Sequence, residues 1–135
     1  EPSLRPWMEQ IHAGGARCAL PIVVERHAPL VFRSWWPGAT MARGIWNIPV
    51  PADGIAVRPD IVVSPVVGFD ATCYRLGYGG GFYDRTLQAM ARKPLVIGVG
   101  FAMSSVPTIH PLPHDIPMDL IITESGCTPR PHRSA

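Results

Sequence analysis

The sequence predicts an α/β layered fold, on three observations. Two continuous, β-branched-rich runs, Asp60-Ile61-Val62-Val63-Ser64-Pro65 and Leu95-Val96-Ile97-Gly98-Val99-Gly100-Phe101, read as buried strands. Between them Phe82, Leu87, Met90 and Ala91 recur at helical spacing. A Gly-rich segment joins the first strand to that helix, the strand–helix–strand order of parallel-sheet proteins.

The bulk properties narrow the class. A chain of 135 residues has the size of one ordinary domain and needs no disulfide or metal to hold a core. At 47% hydrophobic it is globular rather than disordered. A net charge of +2 is too mild to point to nucleic acid or a membrane surface. Cys18, Cys73 and Cys127 are far apart and form no CxxC pair, so reduced thiols in the cytoplasm are expected. No apolar run approaches the roughly 18 residues that span a bilayer, and the start has no h-region of a signal peptide.

Along the chain, Ser3 suits an N-cap, and Trp7, Met8, Ile11 and His12 mark a helix that Gly14-Gly15 stops. Residues 18–24 and 30–33 read as short strands. Residues 35–44 read as a turn-rich excursion around Pro37-Gly38, and residues 45–51 as irregular, since Pro49 and Pro51 exclude a helix. The strand at 60–65 reads as central and covered on both faces. Residues 102–118 form a loop dense in Pro and His. Residues 120–123 give a last strand, and the polar tail from Ser125 is expected to fray.

In parallel α/β sheets, ligands sit beyond the carboxyl ends of the strands. Attention therefore falls on Arg75-Leu76-Gly77-Tyr78-Gly79-Gly80-Gly81-Phe82-Tyr83-Asp84-Arg85. Four glycines in five positions let successive N–H groups face one anion. The helix starting near Phe82 adds the positive end of its dipole. Arg75 and Arg85 can charge-pair with phosphate oxygens, and Asp84 is a hard oxygen ligand suited to Mg²⁺. A plain surface turn is the competing account, but the flanking strand, helix, arginines and aspartate favour phosphate. The segment is neither a Walker A loop nor a dinucleotide fingerprint.

Trp46-Asn47-Ile48-Pro49 places an aromatic plane and an amide in one constrained loop, able to stack on a flat heterocycle or simply to plug a core edge. Within the Pro-rich loop, His114-Asp115 can act as metal ligand, general acid or base, or loop brace. His110 and His114 do not share a helical face, so zinc is not expected.

These pieces, in this order, resemble the 5-formyltetrahydrofolate cyclo-ligases, also called 5,10-methenyltetrahydrofolate synthetases. The resemblance runs over residues 1–126 and rests on the Gly-rich signature, preceded by Gly68-Phe69-Asp70. Leu20-Pro21, Trp46-Asn47-Ile48-Pro49 and His114-Asp115-Ile116-Pro117-Met118-Asp119 add to it. It implies a three-layer α/β domain over 1–126, a mostly parallel sheet flanked by helices, with a frayed tail over 127–135. It implies ATP- and Mg²⁺-dependent closure of 5-formyltetrahydrofolate to 5,10-methenyltetrahydrofolate, through a phosphorylated formyl group, by a cytoplasmic monomer or weak homodimer.

By position, the resemblance assigns Arg75, Leu76, Gly77, Tyr78, Gly79, Gly80, Gly81, Phe82 and Tyr83 to the nucleotide. Arg75 and Tyr83 are assigned to catalysis, Asp84 and Asp115 to Mg²⁺, and Glu1, Trp46 and Tyr83 to the folate. Two features depart from the family pattern. Phe82 stands where some members have Tyr, and the family's usual N-terminal segment, with its basic helix, is lacking. Two other functions remain open: a non-catalytic folate- or phosphate-binding relative, and an α/β enzyme acting on a sugar phosphate or acyl group.

Overall fold

The computed structural model describes residues 3–76 and 81–131. They fall into two compact units, Ser3–Pro59 and a second that begins at Asp60.

In the first unit, helix α1 spans Arg5–Ala13. Its N-cap is Leu4 rather than Ser3, with no side-chain cap. Pro6, in the first turn, supplies a fixed helical φ and lacks the N–H that would need a cap. Gly14 ends the helix as expected, and Gly15 leaves it at φ 97°. Strands β1 (Cys18–Ile22) and β2 (Val31–Trp35) pair antiparallel, and β5 (Ala56–Val57) pairs antiparallel on the other side of β2. Residues 41–51 are more regular than the sequence suggests. Strands β3 (Met41–Arg43) and β4 (Pro49–Pro51) form an antiparallel hairpin. Three-residue strands, one with two prolines and one fully exposed, carry no periodicity to read.

The second unit holds a four-stranded mixed sheet in the order β11–β10–β9–β6. Strands β6 (Ile61–Pro65), β9 (Leu95–Val99) and β10 (Leu120–Thr123) are parallel. Strand β11 (Gly126–Pro129) runs antiparallel against β10. Two expectations are corrected here. Among the described residues β6 is an edge strand, with Val62 and Ser64 buried and Ile61 exposed, and β9 takes the inner position. Within the tail expected to fray, residues 126–129 are ordered into β11, and the Arg130 N–H donates to the Asp119 carbonyl at 2.8 Å. Main-chain pairing with β10 stabilises this polar segment, which has no apolar signature of its own.

The crossover from β6 to β9 contains a hairpin of β7 (Gly68–Phe69) with β8 (Arg75–Leu76), then helix α2 (Phe82–Ala89). Leu87 of α2 packs into a core with Val66, Phe69, Cys73, Val96, Met118 and Ile121. The Lys93 ammonium donates to the carbonyls of Leu87 (2.5 Å) and Gln88 (3.4 Å), closing the C-terminal end of the helix. Asp119 fixes the register of β10 on β9: its N–H donates to the Val96 carbonyl (2.8 Å), and its carboxylate accepts the Val96 N–H (2.7 Å). The chain is thus an α/β protein with mixed sheets and two α-helices among the described residues. No described helix is long and apolar enough to cross a membrane.

Gly98, in the middle of β9, faces the fully buried Met118. A Cβ there would overlap the Met118 sulfur and meet Ile121 Cγ1 at 3.4 Å. Gly98→Ala therefore overpacks the core and is expected to cost about 1–3 kcal/mol. A fall of several degrees in Tm checks this, and an unchanged Tm refutes it.

Candidate functional site

The site is built on the β7–β8 hairpin. Phe69 pairs with Arg75, and residues 70–74 form the turn between them. Asp70 closes that turn. Its Oδ1 accepts the Thr72 hydroxyl (2.7 Å) and the N–H groups of Thr72 (3.1 Å) and Tyr74 (3.2 Å). Its Oδ2 accepts the Ile109 N–H at 3.1 Å. Asp70 is only 3% exposed. Burial alone would raise its pKa, but the bonds from Thr72, Ile109 and Tyr74 outweigh it and hold the carboxyl below its ordinary value.

Beyond the turn, β8 aims the Arg75 side chain into the protein, where it is 5% exposed. One guanidinium nitrogen bonds Asp84 Oδ1 at 2.8 Å, and the other donates to the Ile116 carbonyl at 3.4 Å. The Tyr83 ring lies 5.5 Å from the guanidinium carbon, within cation–π range. Burial pushes the Arg75 pKa down, and Asp84, Tyr83 and Asp115 push it back up without fully offsetting burial. Asp84 Oδ1 also accepts the Ile116 N–H at 3.1 Å. Three segments (β8, the first turn of α2 and the loop before β10) therefore meet at one ion pair.

The Pro-rich loop is folded on itself. Asp115 Oδ2 accepts the Leu112 N–H (2.8 Å), and the Asp115 N–H donates to the Leu112 carbonyl (3.0 Å). His114 Nε2 stands 3.7 Å from Asp115 Oδ1, and Gln88 of α2 donates to the His114 carbonyl at 3.3 Å. Of the roles open to His114-Asp115, bracing is visible in these bonds.

At the start of α2, Gly81 is the N-cap at φ 64°, a left-handed conformation that favours glycine. A Cβ at this position would meet Arg85 Nη1 at 3.2 Å, so the Arg85 guanidinium folds back over the helix N-terminus. The helix begins at Phe82 as expected, which places Asp84 in its first turn, where the side chain is half-buried.

Trp46 belongs to the first unit, at the tip of the β3–β4 hairpin. Trp46 and Asn47 have φ of 56° and 61°, and the Ile48 N–H donates to the Ile45 carbonyl at 3.3 Å, a type I′ turn. Asn47 is common in that conformation, but a tryptophan is strained there. Arg43 holds the Asn47 amide oxygen at 2.6 Å. The Trp46 ring is not a core plug, since the residue is 53% exposed.

The structure thus brings together Arg75, Tyr83, Asp84 and Asp115 and sets Gly81 and Phe82 at the adjoining helix start. Leu76 is exposed in β8. Glu1, Gly77, Tyr78, Gly79 and Gly80 lie outside the described residues. Sequence reasoning gave no role to Asp70, although Asp-x-Thr before a strand is an Asx-turn signal. It also missed the Ile116 backbone, which no side-chain pattern reveals. No group of three His, Cys, Asp or Glu side chains that could hold a metal occurs among the described residues. Mg²⁺ beside a nucleotide commonly takes only one or two carboxylates, with phosphates and water completing its shell. Asp84 and Asp115 offer two hard oxygen donors, which fit that chemistry.

Comparison with known proteins agrees with this architecture. A family model described as the 5-formyltetrahydrofolate cyclo-ligase family matches residues 1–124. The 5-formyltetrahydrofolate cyclo-ligase of Escherichia coli is 31% identical over 132 residues, covering 93% of this chain and 72% of that protein. The protein of the same name from Mycolicibacterium smegmatis is 32% identical over 132 residues, covering 91% and 68%. The NMR structure of Aquifex aeolicus 5,10-methenyltetrahydrofolate synthetase superposes with a TM-score of 0.79 at 28% identity. It covers all of this chain and 69% of that one. A Mycoplasma pneumoniae 5,10-methenyltetrahydrofolate synthetase shares the fold, with a TM-score of 0.67 at 24% identity, over 90% of this chain and 68% of its own. The chain belongs to the 5-formyltetrahydrofolate cyclo-ligase family, a family of ligases in folate metabolism.

Asp70 has a consequence for stability in acid. Its folded pKa lies below the ordinary 3.8, so its contribution is complete above that value and is lost as pH falls through the folded pKa. Asp70→Asn is expected to flatten the fall of the urea midpoint as the pH drops below the ordinary carboxyl value of 3.8. An identical acid limb in the variant contradicts this.

Proposed function

We propose that the protein uses ATP and Mg²⁺ to close 5-formyltetrahydrofolate to 5,10-methenyltetrahydrofolate, releasing ADP and phosphate. The observation that carries this is the joining of Arg75, Tyr83 and Asp84 at the start of α2, with Asp115 next to the Ile116 that Asp84 holds and within electrostatic reach of Arg75, in a member of this ligase family. The same reading takes a three-layer, mostly parallel architecture, a cytoplasmic location and a monomer or weak homodimer as its setting.

The formyl oxygen is a poor leaving group. Transfer of the γ-phosphoryl group of ATP to it releases ADP and leaves a C–O–P linkage with an iminium at N5. The N10 nitrogen then adds to the former formyl carbon, phosphate departs with the oxygen, and N10 loses its proton. Little covalent chemistry falls to the protein, which positions groups and stabilises charge. The glycine segment from Gly77 to Gly81 and the α2 N-terminus offer N–H groups to phosphate oxygens, with Arg85 adding charge. Asp84 and Asp115 would hold Mg²⁺, which supplies charge neutralisation at the transferring phosphate. Arg75, buried and paired, holds Asp84 and Tyr83 in place more than it grips phosphate itself. Trp46 offers a plane on which a pterin can stack.

The direct test is the growth of methenyltetrahydrofolate absorbance with the full-length protein, 5-formyltetrahydrofolate, ATP and Mg²⁺. Turnover that needs all three is expected. Folate binding by calorimetry without turnover selects the non-catalytic alternative. Asp84→Asn weakens the pairing of a buried guanidinium, so it is expected to lower stability as well as activity. Asp115→Asn leaves that pair intact and separates the roles. It is expected to raise the half-saturating Mg²⁺ concentration about tenfold or more with little change in Tm. A fall in kcat with unchanged Mg²⁺ dependence removes Asp115 from the metal.

A further inference from the structure

The loop over residues 109–116 carries Asp115 but has no strand or helix of its own. Its ends are held from outside. At the far end, Ile116 is gripped on both sides of its backbone: its N–H by Asp84 Oδ1 at 3.1 Å and its carbonyl by Arg75 Nη1 at 3.4 Å. At the near end, the Ile109 N–H is held by Asp70 Oδ2 at 3.1 Å. Both anchors trace to one hairpin, since Asp70 opens its five-residue turn and Arg75 directly follows it. Between the anchors the loop is tied mainly to itself, through the Leu112–Asp115 bonds and the His110 N–H on the Thr108 hydroxyl (3.0 Å). Gln88 adds its bond to the His114 carbonyl.

The two oxygens of Asp70 have separate tasks. Oδ1 takes three donors within its own turn and so shapes the strand pair that aims Arg75. Oδ2 takes one donor from 39 residues away. A turn alone needs only one acceptor oxygen. Keeping an ionised carboxylate almost wholly buried is costly unless both oxygens are satisfied, and here the second is satisfied by the loop.

We propose that Asp70 is a positioning residue for this reaction, whose second carboxylate oxygen fixes the start of the 109–116 loop and so sets where Asp115 stands. The inference rests on the reading of Asp115 as a magnesium-holding residue. Asp70 touches neither the folate nor the nucleotide in this scheme and acts through Asp115.

The discriminating variant is Asp70→Asn. Its amide oxygen can take the three turn-side donors, which leaves an NH₂ group facing the Ile109 N–H, donor against donor. Backbone hydrogen exchange of the ligand-free protein reads this without activity. Exchange over residues 109–116 is expected to rise about tenfold or more, with β9 and β10 as protected as in wild type. Thr72→Val, which loses one turn-side bond only, should leave loop exchange at the wild-type rate. With substrates, Asp70→Asn should raise the half-saturating Mg²⁺ concentration several-fold and leave KM for the folate within about twofold. Wild-type loop exchange in folded Asp70→Asn overturns the proposal. So does faster loop exchange with unchanged Mg²⁺ dependence, when Asp115→Asn does shift it. If Asp115→Asn shifts nothing, the metal reading fails first and the positioning role falls with it. Should Asp70→Asn not fold, Asp70→Ser replaces it: its hydroxyl can close the turn but cannot reach Ile109, and the same outcomes decide.

Discussion

The Arg75–Asp84 ion pair is the constraint on which the site depends. A guanidinium cannot deprotonate at neutral pH, so placing it at 5% exposure obliges the fold to supply acceptors. Asp84 supplies one and the Ile116 carbonyl another. Removing one partner of such a buried pair typically costs on the order of 3–5 kcal/mol, because the remaining charge is stranded. That penalty ties the end of β8, the first turn of α2 and the loop before β10 to one another.

Around this pair, backbone geometry is held by carboxylates rather than by regular structure. Asp70 accepts N–H groups from its own turn and from Ile109, Asp84 from Ile116, Asp115 from Leu112, and Asp119 from Val96. Loop amides cannot satisfy one another as helix and sheet amides do, so a loop that must hold one shape needs such acceptors. The strained turn at Trp46 follows the same logic in the other unit. An aromatic side chain at positive φ costs about 1–3 kcal/mol, and the surrounding hairpin enforces it.

Much of the fold was legible in the residues. Helix α1 and its glycine stop, β1, β2, β6, β9, β10 and the start of α2 all follow from apolar period and breakers. The β3–β4 hairpin was not legible, because three-residue strands show no period. Strand β11 was not legible either, because its stability comes from pairing with β10 and not from its own polar residues. The edge position of β6 was not legible, since its run is as apolar as an inner strand's and strand order is a property of the crossovers. In the site, residue types singled out Arg75 and Asp84, and the family resemblance added Tyr83 and Asp115. The burial of Arg75 was invisible, as was the dual use of Asp84.

By itself, the sequence determined the alternation of strands and helix, the glycine-rich strand-to-helix junction and, through that signature, the family. Those are local properties, carried by side-chain period, by the conformational freedom of glycine and by residue order. Only the tertiary structure decided that Arg75 points inward to an aspartate instead of outward to a ligand, that Asp70 reaches across 39 residues to Ile109, and that the Pro-rich loop is held at both ends. The reason is physical. A buried charge takes whichever acceptors the fold brings within about 3 Å, and distances of that kind between remote segments are set by packing of the whole unit.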